Sequence, residues 1–140
     1  AGVAPPPNKQ DASVGFNTVG SGQSVQIPLS PELATQNFSI EMWLKPQTLL
    51  SLNQILYTSR QANSGVSLYS IGAVGFCEIG TGSDSVSVST GSHLLIYNKW
   101  IHLACVYDAT TSTLSMYADG ELQNSITTAY QPNPSGNAIM

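Results

Sequence analysis

The sequence predicts an all-β protein, folded as an antiparallel sandwich or barrel. Short alternating or apolar runs recur along it, from "SVQIPL", "FSIEMWLKP" and "NQILYTS" through "GVSLYSI", "AVGFCEIG" and "SVSVST" to "HLLIY", "WIHLACVYD", "TLSMYADG" and "ELQNSITTAY". Breaks rich in Gly, Ser, Asn and Asp separate them, such as "GSG", "NSG", "GTGSD" and "DATTS". That spacing of strands and turn residues is the signature of antiparallel β architecture. No useful window places apolar residues at i, i+3, i+4 and i+7 with caps, so the sequence predicts no helix beyond one turn in "SPELAT".

The 140 residues suffice for one domain with a real core. Hydrophobic residues make up 41%, but charged residues only 9%, against roughly 25% in an ordinary domain. Hydroxyls and amides therefore wet the surface, as in β-rich extracellular and particle-surface proteins. The net charge is −4, and Lys9, Lys45, Arg60 and Lys99 are the only formal cations. Four scattered cations cannot track a phosphate backbone, so nucleic acid is excluded as the expected partner. Anionic membrane is disfavoured for the same reason, and no apolar run approaches the ~20 residues that span a bilayer. The opening "AGVAPPPNKQ" has no basic segment followed by an apolar one, so it does not read as a signal peptide. Residues 1–12 read as a Pro-rich arm or linker, and residues 13–140 as the sandwich.

Two hairpins are well marked. "WIHLACVYD" and "TLSMYADG" are joined by a short polar loop, and Asp119-Gly120 suits a type I′ turn. Parity then sorts the side chains, because every second residue of a strand shares a face. Ile101, Leu103, Cys105 and Tyr107 make the better core set of their strand, which turns Trp100, His102, Ala104 and Val106 outward. Phe38, Ile40, Met42 and Leu44 face the core, and Ser39, Glu41, Trp43 and Lys45 face away. Leu114, Met116 and Ala118 point in, and so do Cys77 and Ile79. The two cysteines fit no metal or redox spacing. They read as two free, buried thiols, with a bridge open only if their Cα atoms lie within roughly 7 Å.

The ordered series "GFNTVGSGQSVQIPLSPEL", "FSIEMWLKP", "NQILYTSR", "GVSLYSI", "VGFCEIGTG", "NKWIHLACVYD", "TLSMYADGEL" resembles the laminin G-like branch of the concanavalin A-like lectin/glucanase superfamily. Pentraxins are more distant relatives. The resemblance runs from about Phe16 to Met140 and implies a jelly-roll of two antiparallel sheets. It also implies that Glu41 and His102 lie on neighbouring strands. The pentraxin disulfide would fall at Glu41 and Ala104 here, so that bridge is absent. Members usually continue past "SGNAIM" into a last strand that re-enters the sandwich. The last strand is therefore expected from another chain or from residues absent here, with self-association as one consequence.

Several side chains could carry function. A glycan site needs an aromatic platform with amides and carboxylates around it. Glu41, Trp43 and His102 could cluster on an outer sheet face, with Trp100, Tyr97 and Tyr117 as further parts. The competing and leading reading is framework: Trp43 and Trp100 lie under loops, with His102 hydrogen-bonded beneath them. Ligand contacts then fall to loop residues Arg60, Asn63, Ser83, Asp84 and Asn98. No cofactor is implied. The resemblance places one calcium loop at Gln61, Ala62, Asn63 and Ser64, where Asn63 is the sole plausible side-chain ligand, and Ca²⁺ wants six to eight oxygens. Asp108 and Asp119 read as turn residues rather than metal ligands. Asn37 opens a glycosylation sequon, Asn37-Phe38-Ser39. Hydrolases of the superfamily pair carboxylates at alternate strand positions, and no stretch here does so. The expected protein is a non-catalytic, extracellular or surface recognition module for a glycan or glycoprotein. The alternative is an assembly domain of a cell-surface or virion protein with no glycan site of its own.

Overall fold

Alternation of period two sets most of the observed elements. The computed structural model describes residues 14–16, 23–28, 34–92, 94–133 and 137–139. The Pro-rich arm, most of "SPELAT" and His93 lie outside them. The described residues hold ten strands: β1 (Gln26–Pro28), β2 (Phe38–Leu44), β3 (Gln54–Thr58), β4 (Val66–Ile71), β5 (Val74–Gly80), β6 (Ser85–Ser89), β7 (Ile101–Asp108), β8 (Thr113–Ala118), β9 (Glu121–Thr127) and β10 (Asn137–Ile139). One sheet has six strands in the order β1-β10-β3-β4-β5-β6, the other four in the order β2-β7-β8-β9. Every pair is antiparallel. The expected two-sheet jelly-roll sandwich is what the chain forms.

The core lies between the sheets and follows the predicted parity. Leu103, Cys105, Leu114, Met116, Cys77 and Ile79 are fully buried, with Ile101, Tyr107 and Ala118 nearly so. Phe38, Ile40, Met42 and Leu44 pack against this core but stay half-buried, because β2 ends its sheet. Asp119 and Gly120 both have positive φ (49° and 81°) and join β8 directly to β9, as a type I′ turn requires.

Two sequence expectations need revision. The run "HLLIY" is not a strand over its described residues 94–97. Leu95 plugs the core, its N–H donates to Ala73 O, and Ile96 and Tyr97 are then thrown outward. A loop can alternate in burial without pairing. Second, Cys77 and Cys105 are not free thiols but a disulfide between β5 and β7, with Cα atoms 6.0 Å apart. Parity placed both sulfurs inside but could not say that they face each other across the sheet interface. Residues 137–139 form β10 between β1 and β3, while β2 has a strand partner on one side only among the described residues.

The loop end of the six-stranded sheet is fastened by the backbone. Gly65 N–H donates to Gln131 O, Gln131 N–H to Gly80 O, and Gly80 N–H to Gly65 O. Buried Asn133 donates its amide to Ser59 O at 2.7 Å. Gly80 must be glycine, since a Cβ there would overlap the Asn63 carbonyl.

Two measurements test this description. The disulfide closes a span of 28 residues, which by loop entropy is worth about 3–4 kcal/mol. Reduction should lower the urea midpoint accordingly, and two titratable thiols in denatured, unreduced protein would refute the bridge. Tyr130 packs with Phe38 and Tyr107. Burial, and then the neighbouring Tyr57, pushes its hydroxyl from 10.0 up to about 12. A raised folded pKa gives stability that is complete below the unfolded value and lost as pH rises towards the folded one. Urea midpoints should therefore fall between pH 10 and 12, and Tyr130→Phe should lessen that fall. An unchanged alkaline slope in the variant would count against it.

Candidate functional site

The six candidate residues fall into two places. Arg60 and Asn63 belong to the β3–β4 loop. Arg60 turns its guanidinium to Ala62 O (2.9 Å) and to Glu78 (3.5 Å), and Asn63 donates its amide to Ser83 O (2.8 Å). Nη1 of Arg60 is buried without a hydrogen-bond partner. Both side chains brace the loop. Gly82 N–H also takes the Asn63 carbonyl, and Asp84 accepts from Ser85 N–H. Among the described residues no three His, Cys, Asp or Glu side chains gather as a metal group would need.

Glu41, Trp43 and His102 do come together, on the outer face of the four-stranded sheet. The register pairs Trp43 with His102 and Glu41 with Ala104. The indole and imidazole centroids lie 5.2 Å apart, tilted by 48°. His102 Nε2 stands 3.3 Å from Glu41 Oε2. The framework reading buried the two tryptophans, and the structure does not: Trp43 is 50% exposed and Trp100 53%. His102, by contrast, is largely covered. Small Ala104 lies between Glu41 and Tyr117 in the same row and is itself buried.

Asn98 belongs to this end as well. Its N–H donates to Pro46 O at 2.7 Å and its side-chain oxygen faces Gln47 at 3.4 Å. It adopts φ 60°, and Lys99 N–H closes back on Ile96 O. This turn sets exposed Ile96, Tyr97 and Trp100 at the tip of the sheet beside the end of β2.

The two turn aspartates do different work. Asp108 accepts from Thr110 N–H and the Thr111 hydroxyl, as a turn residue should, and the Thr110 N–H holds its carboxyl below the ordinary range. Asp119 reaches across strands instead. It accepts from His102 N–H at 2.9 Å while its own N–H donates to His102 O. Sequence reasoning missed this positioning role, and also Lys45, Lys99 and Gln47, which lie at the same end. Asn37, the sequon residue, accepts from Ala109 N–H at 2.7 Å and ties the start of β2 to the β7–β8 turn.

A laminin G model described as Concanavalin A-like lectin/glucanases superfamily matches residues 19–140. The chain belongs to that superfamily. A search of curated proteins gives no match. Among solved structures, a mutant of HCR/D superposes with TM-score 0.69 at 19% identity, covering 85% of this chain and 32% of that one. The receptor binding domain of botulinum neurotoxin D gives TM-score 0.64 at 17% identity, covering 85% and 33%. The CBM40 of Ruminococcus gnavus IT-sialidase, bound to α2,3 sialyllactose, gives 0.63 at 13%, covering 86% and 80%. At these identities the likeness is one of fold. This chain spans about a third of the toxin fragments' length.

If Asp119 positions His102, Asp119→Ala should cost about 1–2 kcal/mol, for a lost charge-assisted bond and a strained φ. Asp119→Asn should cost far less, because Asn tolerates that φ and keeps an acceptor. Chemical denaturation of both variants checks this, and equal losses would argue against the contact.

Proposed function

We propose that this chain is a non-catalytic glycan-binding module, and that its site is the outer face of the four-stranded sheet. The half-exposed Trp43 ring, backed by His102 and flanked by Glu41, carries this reading. An indole standing open on a rigid strand offers a flat apolar surface to a sugar ring, and the carboxylate accepts sugar hydroxyls. Membership of a lectin-like superfamily supports it, as does a neighbour whose title describes a carbohydrate-binding module with its sugar bound. The disulfide favours an oxidising, extracellular or surface setting. Among the described residues no helix is long and apolar enough to cross a membrane.

A second reading, assembly through a shared strand, is favoured by β2, whose outer edge has no strand partner among the described residues. A glycan panel separates the two. Binding to one or more oligosaccharides, weakened about tenfold or more by Trp43→Ala with the fold unchanged, is the expected result. A blank panel together with a defined oligomer in light scattering would replace the lectin reading with assembly.

A further inference from the structure

The charges around Trp43 are unevenly placed. The chain has four Lys and Arg residues against eight Asp and Glu. Three of those cations are described. Arg60 is engaged with Glu78, but Lys45 and Lys99 are exposed and form no ion pair among the described residues. Both lie at the tip that carries Trp43 and Trp100. Burial alternates without a break from Ser39 to Pro46, so Glu41, Trp43 and Lys45 share one outward row. Lys99 enters the same end through the turn that Asn98 fastens to Pro46. Along that row Trp43 therefore stands between the Glu41 carboxylate and the Lys45 ammonium, whereas Lys99 has the parity of inward-facing Ile101 and falls outside the row.

Resting on the glycan reading, we infer that the ligand is an oligosaccharide with one acidic sugar, laid along β2. A neutral ring covers Trp43, and its hydroxyls meet Glu41 and His102. The acidic group meets Lys45. Four residues of strand span about 13 Å, longer than one pyranose ring, so two linked sugars fill the row. The opposed charges fix the direction of the ligand, since an acid placed at Glu41 would be repelled. The net charge of −4 also argues against a polyanion, whose further charges would meet an acidic protein. A carboxylate and a sulfate share the chemistry that an ammonium group recognises.

Calorimetry with sialyllactose, its carboxyl methyl ester, sulfated lactose and plain lactose tests this. Whichever acid binds, its affinity should exceed lactose by up to about fivefold and weaken with added salt. Lys45→Gln should lose that advantage and the salt dependence while keeping its affinity for lactose, and Lys99→Gln should keep both. Sialyllactose bound better than its ester identifies a carboxylate, and sulfated lactose alone identifies a sulfate. Lactose or the ester binding as tightly as either acid would overturn the inference and leave the glycan reading standing. Full acid binding by Lys45→Gln would overturn it too. No binding to any of these or to the wider panel would remove both.

Discussion

The pairing of β2 with β7 is the constraint on which both core and site depend. Its register sets Phe38 against Tyr107, Ile40 against Cys105 and Met42 against Leu103 on the inner side. On the outer side it sets Trp43 beside His102. A slip of one residue in β2 would turn its whole apolar row to water and drive Glu41 and Trp43 into the sandwich. Burial of the inner row therefore holds the outer row in place. Core packing makes the geometry of the face rigid, and the face itself contributes little to holding the fold.

The rest of the molecule reinforces that pairing from the far side. The Cys77–Cys105 bridge joins β7 to β5, so the strand that carries His102 is fastened covalently to the opposite sheet. Asp119 then fixes the start of β7 from the β8–β9 turn, through both a side-chain and a main-chain bond to His102. The glycine clamp around Gly65, Gly80 and Gln131 closes loops of the six-stranded sheet and takes no part in the candidate face. Arg60 and Asn63, which chemistry alone made attractive as ligand contacts, are occupied in that bracing.

Period-two patterning made the sandwich, its inner faces and the two hairpins legible in the sequence. It did so because each strand has one buried side and the alternation is strict. The cluster of Glu41 with His102 was legible through the implied strand neighbours. What could not be read depends on relations across space. Nothing in the spacing of Cys77 and Cys105 shows that two strands of different sheets bring them together. "HLLIY" looks like a strand, yet only Leu95 finds a place in the core. The openness of Trp43 and Trp100 depends on which loops reach over the sheet, and local pattern holds no record of that. Asp119 looked like a self-contained turn because its partner lies 17 residues earlier in the chain.

The exposure of Trp43 and Trp100 has an optical consequence. They are the chain's only two tryptophans, and both stand in contact with water on the same end of one sheet. The native protein should therefore already emit at the long wavelengths of hydrated indole. Unfolding would shift that emission little, while anything laid over the face would move it to the blue. Tryptophan light in this molecule reports on occupancy of the face, and the buried ring of Tyr107 is the better witness to the state of the core.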